Sequence, residues 1–212
     1  MSNKKICYIV LTCEAYINTR VKWQNETFFK NVNDTDIYFL SCKNHENKNI
    51  YGWNTADNYE SCPTKYVQFL KNMTLQYDWY CFIDDDTFIN INNLHNLLES
   101  YDCNEKLYIG RLCMNYSPPF YMSGGAGFIL SKSLYFSLIT YIRDRDTNDN
   151  DLLQSIYGDL SVGLWIKNID NVVMIDNTKL HSSLHKEEDN LQEFISFHFL
   201  KCFKDFEFYN NL

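Results

Sequence analysis

Three consecutive aspartates, Asp84 to Asp86, are the residues whose type and spacing point most directly to chemistry. They follow the apolar stretch WYCFI (79–83) without an intervening turn residue. Successive side chains of a strand point to opposite faces, so Asp84 and Asp86 would converge and Asp85 would point away. Two convergent carboxylates repel each other unless a divalent cation shares their oxygens. The triplet therefore favours a metal site, and a solvated acidic turn that caps the next helix is the alternative.

Three other stretches contain candidate site residues, and each is ambiguous by itself. The glycines of SGGAG (123–127) suit a close approach of backbone to a ligand, but a tight loop between strands needs them equally. Asp159 precedes a short helical run, where aspartate is usually an N-cap. His181 and His185 are spaced i, i+4 and could add imidazole to a carboxylate site, although most histidines are structural or simply exposed.

Regular elements must position these candidates, and apolar runs of strand length recur along the chain. Strands are predicted at residues 6–11, 36–42, 79–83, 106–112, 127–130, 171–176 and 194–199. Helices are predicted at residues 66–77, 91–101 and 133–142, the second with Asn90 or Asn92 as its cap. This alternation predicts an α/β domain with a largely parallel central sheet, in which ligands gather at the carboxyl ends of strands. The acidic triplet lies at such an end.

Length, composition and charge limit the possible classes of protein. The 212 residues suit a single domain spanning residues 1–212, and the polar stretch 143–153 is predicted to be a mobile loop within it. With 45% hydrophobic and 17% aromatic residues, the chain is unlike disordered proteins. A net charge of -8 argues against a nucleic-acid partner, and an anionic ligand would need a metal or local hydrogen-bond donors.

The cysteines and the amino-terminal apolar run exclude other classes. Eight dispersed cysteines contain no CxxC pair, which argues against zinc and thioredoxin-like sites and favours reduced thiols. The apolar run at 6–11 has the length of a strand and is too short for a signal sequence or a transmembrane segment.

The motifs taken together resemble the Fringe-like branch of glycosyltransferase family 31, which includes the core 1 β1,3-galactosyltransferases. The resemblance covers residues 65–200, and NTRVKWQNETFF (18–29) is a weaker match, with Lys22 before Trp23 where threonine is usual. Five motifs occur in family order: WYCFIDDDTFININNL (79–94), YIGRL (108–112), SGGAGFILS (123–131), GDLSVG (158–163) and LHSSL with NLQ and ISFHF (180–199).

The resemblance implies a GT-A glycosyltransferase fold and an inverting reaction that forms a β1,3 bond. The donor would be a UDP-sugar, the ion Mn²⁺ or Mg²⁺, and the acceptor a hydroxyl group of a glycan or glycoprotein. Carried over by motif, Asp86 would be the principal metal ligand, assisted by Asp84 and His181. Asp159 would be the general base. Donor-binding residues would be Lys65, Asp84, Asp85, Gly124, Gly125, Ala126 and Gly127.

Two departures from the family pattern affect these expectations. Gly158 stands where an acidic residue commonly precedes the base, and Ser41 and Cys42 stand where relatives often have an acidic residue near the uridine ring. The anchor and stem typical of Golgi relatives are absent from the sequence. We therefore expect a cytoplasmic location, with the Golgi lumen as the alternative if an anchor was removed.

Two other functions remain open. A catalytically inactive GT-A protein that binds glycans or nucleotides would keep the fold without turnover. A metal phosphohydrolase could use paired aspartates, but no accompanying nucleophile is found. The sequence indicates neither the donor sugar, nor the acceptor, nor the oligomeric state.

Overall fold

The computed structural model describes residues 4–45, 49–116, 119–146, 152–184 and 190–212. Short 3₁₀ or π turns occur at Glu14–Tyr16, Ile17–Val21, Asp34–Asp36 and Tyr59–Ser61. In chain order the elements are β1 (Ile6–Leu11), α1 (Lys22–Glu26), β2 (Ile37–Leu40), β3 (Ile50–Tyr51), α2 (Cys62–Asn72), β4 (Trp79–Asp84), β5 (Phe88–Ile89), α3 (Ile91–Glu99), β6 (Leu107–Gly110), β7 (Phe128–Ser131), α4 (Lys132–Arg143), α5 (Gly158–Ile166), β8 (Val173–Asp176), β9 (Ser196–Phe197) and α6 (Phe203–Asn210).

The central sheet has seven strands in the order β3-β2-β1-β4-β7-β6-β8. Its pairs are parallel except those of β7, which runs antiparallel to both β4 and β6. A reversed strand needs no crossover helix, and the described residues between β6 and β7 contain none. The largely parallel α/β sheet expected from the sequence is therefore confirmed, with one antiparallel strand inside it.

The register brings the carboxyl ends of three central strands to one edge. Leu11 pairs with Leu40 of β2 and with Asp84 of β4, so β1, β2 and β4 end side by side. Thr12, the residue after β1, donates its backbone N–H to the carbonyl of Leu40 over 3.0 Å. The acidic triplet thus begins at the edge where α/β sheets bind ligands.

Both faces of the sheet are covered, which explains why β1 and the first five residues of β4 are apolar. One core contains Leu94 of α3 and Phe206 of α6, and the other contains Leu70 of α2, Leu138 of α4 and Trp165 of α5. Alternate strand residues enter opposite cores, with Ile6, Tyr8, Val10, Trp79, Cys81 and Ile83 in the first and Cys7, Ile9, Tyr80 and Phe82 in the second.

A second, two-stranded sheet lies next to the acidic triplet. β5 and β9 are antiparallel, with Phe88 opposite Phe197 and Ile89 opposite Ser196. Beyond this pair, the backbone N–H of Leu200 donates to the carbonyl of Asp86 over 3.0 Å. The strand predicted at 194–199 therefore exists in shortened form, but it pairs beside the triplet and outside the central sheet.

The helices begin and end near their predicted positions, with local differences. Asn90 caps α3 by accepting a hydrogen bond from the backbone N–H of Asn93 over 3.0 Å. α2 begins four residues before the predicted 66–77 segment and has Pro63 in its first turn, where the missing N–H costs nothing. Residues 147–151 of the predicted mobile loop lie outside the described residues. In the part of the chain that is described, no helix has the length and apolar character needed to cross a membrane.

Candidate functional site

The acidic triplet at the end of β4 separates as strand alternation predicts. Asp84, Asp86 and His198 each offer a ligand atom, and these atoms all lie within 4.8 Å of one another. Asp85 points away and is buried, and it accepts hydrogen bonds from the Thr12 hydroxyl and from Arg20, each over 2.7 Å. Two carboxylates and one imidazole form a donor set that suits a manganese-class ion.

The histidine at this cluster is His198, whereas His181 was expected from the sequence. The Nε2 atom of His198 lies 3.0 Å from Asp86 Oδ1 and 3.9 Å from Asp84 Oδ2. The pairing of β5 with β9 brings it there, because Phe197 lies opposite Phe88 just after the triplet. His181 donates its backbone N–H to Ser196 and packs its ring 4.6 Å from Phe197, outside the cluster. His185 lies outside the described residues.

The electrostatics of the cluster fit a divalent cation. Burial, together with the charges of Asp86, Asp85 and Asp159, raises the pKa of Asp84 to about 7 despite the opposing effect of His198. Burial acts to lower the pKa of His198, but the hydrogen bond and charge of Asp86 outweigh it and raise this pKa. The cluster therefore brings negative charges together in a half-buried place, and a bound cation would remove their repulsion.

Arg20 is a site residue that was missed from the sequence. Its Nη1 atom lies 2.7 Å from Asp85 Oδ1 and 3.4 Å from Asp86 Oδ2, and its guanidinium lies 3.9 Å from the centre of the Tyr16 ring. Burial raises the pKa of Asp85, while hydrogen bonds from Thr12 and Arg20 partly offset that rise. Because Asp85 is only 5% exposed and is paired with Arg20, its geometry suits positioning of the triplet better than direct contact with a donor.

The glycine-rich loop separates Asp159 from His198. The backbone N–H of Gly124 donates to Asp159 Oδ2 over 2.9 Å, and a methyl group at position 124 would lie 3.1 Å from Asp159 Cβ. A methyl group at position 125 would overlap the His198 ring. Close approach therefore requires glycine at position 125, and it leaves a tight contact with Asp159 for any side chain at position 124.

Hydrogen bonds from both flanking segments hold this loop in place. The Thr87 hydroxyl donates to the carbonyl of Gly125 over 2.9 Å, and the Ser196 hydroxyl donates to the carbonyl of Ala126 over 2.5 Å. Gly127 has a φ of 78°, in the left-handed region that glycine adopts without strain. The loop is thus held against β5 and β9, the two strands that also position the Asp84–Asp86–His198 cluster.

Asp159 lies in the first turn of α5 but is not its N-cap, which is Tyr157. Its Oδ1 atom accepts the backbone N–H of Leu160 over 2.7 Å, and its Oδ2 atom faces Gly124. Gly158, where relatives commonly have an acidic residue, has no room for one, since a methyl group there would lie 2.9 Å from Tyr66 Cε2. Asp159 is therefore the carboxylate that this turn presents to the loop.

Lys65 and Glu14 lie near the carboxyl ends of β1 and β2. The buried Lys65 ammonium donates to the carbonyl of Thr12 over 2.9 Å and to Asp57 Oδ1 over 3.3 Å. Glu14, missed from the sequence, accepts the Ser41 hydroxyl over 2.7 Å and lies 2.9 Å from His45 Nε2. Burial acts to raise the pKa of Glu14, but these two partners lower it overall. Relatives often have an acidic residue where this chain has Ser41 and Cys42. In this chain Glu14, from the turn after β1, places a carboxylate beside Ser41.

Comparison with known proteins identifies relatives along most of the chain. The family model described as Fringe-like matches residues 1–203. A glycoprotein-N-acetylgalactosamine 3-beta-galactosyltransferase 1 of Xenopus laevis is 25% identical over 116 residues, which cover 55% of this chain and 30% of that protein. The beta-1,3-N-acetylglucosaminyltransferase lunatic fringe of Gallus gallus is 26% identical over 135 residues, covering 53% and 37%. The matched segments thus span about a third of these two relatives, and the similarity gives no support to the expected cytoplasmic location.

Solved structures share the fold at low sequence identity. A glycosyltransferase involved in glycosylation of the major capsid of PBCV-1 matches with a TM-score of 0.53 and 11% identity, over 95% of this chain and 98% of that one. The glycosyltransferase GlyE of Streptococcus pneumoniae TIGR4 matches with a TM-score of 0.54 and 10% identity, over 98% and 61%. The GT-A fold predicted from the sequence is therefore confirmed.

Proposed function

Because this chain belongs to the Fringe-like family, we propose that it is a metal-dependent, inverting β1,3-glycosyltransferase. It moves a hexose or N-acetylhexosamine from a UDP-sugar to a hydroxyl group of a glycan or glycoprotein acceptor. The activities of the two relatives, a 3-beta-galactosyltransferase and a beta-1,3-N-acetylglucosaminyltransferase, support this reaction class.

One observation supports the catalytic assignment above the others. Asp159 contacts Gly124, and His198 of the Asp84–Asp86–His198 cluster packs against Gly125. Consecutive Cα atoms are about 3.8 Å apart, so a candidate base and a candidate metal site lie on either side of a single dipeptide. A donor held at the cluster and an acceptor held at Asp159 would therefore meet over the glycine-rich loop.

The roles of the residues follow from the chemistry of glycosyl transfer. The acceptor hydroxyl must lose a proton as its oxygen attacks the anomeric carbon, and the Asp159 carboxylate is placed to accept that proton. The backbone N–H groups of Gly124 and Leu160 each donate to one oxygen of Asp159, which fixes the direction of the carboxylate. The short loop side chains leave room for the sugar, so that Gly124 to Gly127 line its site.

The leaving UDP needs positive charge in a protein whose net charge is -8. Mn²⁺ or Mg²⁺ would be held by Asp84, Asp86 and His198 and would supply that charge to the diphosphate oxygens. Arg20 and Asp85 position Asp86, and the donor nucleoside lies at the carboxyl ends of β1 and β2, near Lys65 and Glu14. His181, implied by the family motif, supports His198 through their common contact with β9.

The test measures binding and turnover separately. Thermal unfolding of the full chain is followed with Mn²⁺, with UDP and with both, and hydrolysis of UDP-sugars is followed in parallel. A ligand at 100 times its Kd stabilises the fold by about 2.7 kcal/mol, which is a readily measured shift in Tm. We expect this shift in the wild type and in His181→Ala, and its loss in Asp86→Ala and in His198→Ala.

Asp159→Asn tests the base independently of the donor. It should keep the Tm shift with Mn²⁺ and UDP and lose about 10² to 10⁴-fold in turnover. Binding without hydrolysis or transfer in the wild type would instead identify an inactive binding protein. A shift that survives in both Asp86→Ala and His198→Ala would remove the metal site from the proposal.

A further inference from the structure

A groove with an aromatic rim lies along the first turns of α5, the helix that contains Asp159. Its volume is about 430 Å³, within the range of roughly 300 to 1,000 Å³ usual for ligand sites. Tyr116, Ile156 and Tyr157 line it with 45%, 47% and 48% of their surfaces exposed. Gln154 and Ser155 add an amide and a hydroxyl, and no charged residue is among the described residues that line the groove. The Lys167 ammonium lies nearby, 5.3 Å from the centre of the Phe120 ring, but the described lining itself suits a neutral ligand.

The groove is continuous with the catalytic end of α5. Leu160 and Leu164 of α5 line it, and Leu160 directly follows Asp159. Tyr116 and Phe120 also line it, with their ring centroids 5.0 Å apart. α5 packs tightly against Tyr121, because a methyl group at Gly163 would overlap that residue. A ligand in the groove would thus extend along the helix whose first turn presents Asp159.

A third tyrosine adjoins the aromatic rim of the groove. The ring of Tyr59 meets that of Tyr157 edge to face, with the ring centroids 6.0 Å apart. Tyr59 is 67% exposed and therefore extends the aromatic surface beyond Tyr157.

We propose that this groove binds a neutral sugar ring of the acceptor, which stacks against Tyr157 and Tyr116 with its hydroxyl groups toward Gln154 and Ser155. The electron-rich face of an aromatic ring attracts the C–H groups on the flat side of a pyranose, and the amide and hydroxyl suit its edge. This inference rests on the proposed function, because it assigns the acceptor to the groove and leaves the donor at the Asp84–Asp86–His198 cluster.

The first measurement needs no donor and no turnover. Saturation-transfer NMR on the full chain is recorded with methyl glycosides of neutral hexoses, N-acetylhexosamines and deoxyhexoses. We expect at least one glycoside to bind the wild type and to bind Tyr157→Ala and Tyr116→Ala about tenfold more weakly. Tyr157→Phe keeps the ring and should keep binding. Phe208→Ala, which removes an exposed aromatic of α6, should also bind as the wild type does.

The second measurement separates this inference from the proposed function. The Tm shift with Mn²⁺ and UDP reports the donor side at the Asp84–Asp86–His198 cluster, and Tyr157→Ala should keep that shift while the KM for the acceptor glycoside rises about tenfold. The Ser155 hydroxyl, which accepts the backbone N–H of residue 157, is unchanged in this variant, so α5 should begin as before. Tyr116→Ala tests the other wall if Tyr157→Ala does not fold.

Several outcomes would overturn the assignment of the groove. Glycosides that bind the two alanine variants as they bind the wild type would place the acceptor elsewhere. Binding of unglycosylated peptides, with no binding of any glycoside, would identify the groove as a peptide site. Conversion of a dimer to a monomer by Tyr157→Ala would identify it as an interface between two copies of the chain. Failure of the proposed function has a different signature, namely no hydrolysis of any UDP-sugar and no Tm shift with Mn²⁺ and UDP.

Discussion

Arg20 shows how one side chain can organise an acidic site before any cation arrives. Its guanidinium contacts Asp85 and Asp86 and packs on Tyr16, so positive charge is present in the protein itself on one side of the triplet. Asp85 is 5% exposed and would be costly to ionise without Arg20 and Thr12. The arginine therefore stabilises the ionised form of three adjacent carboxylates. The oxygens of Asp84, and the side of Asp86 that faces away from Arg20, remain for a ligand.

Removal of the Arg20 guanidinium should destabilise the fold. Breaking a buried ion pair by deleting one partner costs about 3 to 5 kcal/mol, and Arg20 is 22% exposed, so Arg20→Met should lose about 3 kcal/mol in the free energy of unfolding by urea. The matched control is Arg111→Met, whose pair with Asp176 is 41% exposed on both sides and should cost at most about 1 kcal/mol.

A double-mutant cycle tests the reason for that loss. Asp85→Asn removes the buried charge, so Arg20→Met should cost markedly less in the Asp85→Asn background. Strict additivity of the two substitutions, or equal losses in Arg20→Met and Arg111→Met, would show that the pair does not stabilise the fold.

For single residues, the sequence predicts side-chain directions that depend only on neighbours in the chain. Strand alternation alone predicts that Asp84 and Asp86 converge and that Asp85 diverges. It could not select His198 over His181, because that choice depends on pairing between two-residue strands far apart in the chain. Arg20 and Glu14 follow strand β1 in turns that leave no periodic pattern, so their partners appear only when β1, β2 and β4 are brought together.

At the scale of elements, the glycine-rich loop divides the site into two halves that can be damaged separately. Gly124 approaches Asp159 at the start of α5, and Gly125 approaches His198 after β9. Thr87 after β4 and Ser196 of β9 hold the loop by hydrogen bonds to its carbonyls. A single methyl group added at either glycine should therefore act on one half and spare the other.

Gly125→Ala should weaken metal binding, whereas Gly124→Ala should weaken turnover. The added methyl group at 125 must displace the His198 ring, and loss of ligand orientation typically lowers metal affinity about 10 to 100-fold. The methyl group at 124 meets Asp159 Cβ at 3.1 Å and should leave Mn²⁺ affinity unchanged. Titration of Mn²⁺ by electron paramagnetic resonance and hydrolysis of UDP-sugars distinguish the two variants. Equal losses of Mn²⁺ affinity in both would contradict the division.

Elements with strong apolar periodicity are those that the sequence predicts well. Helices α3 and α4 bury one face, and the strands that end at the site are buried on both faces. The apolar residues of these elements therefore indicate where each element lies in the chain. β3, β5 and β9 have only two residues each, too few for any period. The reversal of β7 depends on the connection from β6, and periodicity contains no information about strand direction.

At the scale of the molecule, the fold buries half of the eight thiols. Cys7, Cys42, Cys62 and Cys81 are buried, Cys13, Cys103 and Cys113 are partly buried, and Cys202 is exposed. None of the eight cysteines forms a disulfide. Burial raises the pKa of Cys62 and of Cys81 to about 12, which leaves these groups in the unreactive thiol form at neutral pH.

Thiol labelling should therefore follow burial. A charged thiol reagent should modify Cys202 fastest, reach the three partly buried cysteines more slowly, and modify the four buried ones only after unfolding in guanidinium. Mass spectrometry of the labelled protein counts each class, and Cys202→Ser should remove the fast phase. Fewer than eight labelled thiols in the unfolded, unreduced protein would reveal a disulfide and contradict the structure.

The pairing of β5 with β9 has a consequence for biosynthesis. Asp84 and Asp86 emerge from the ribosome long before His198, and the hydrogen bond from Leu200 to Asp86 forms later still. Domains generally fold as units during synthesis. A nascent chain that has already assembled β1, β2 and β4 thus contains two of the three candidate ligands and lacks the third. The segment beyond Ser196 must leave the ribosome before the cation site can be completed.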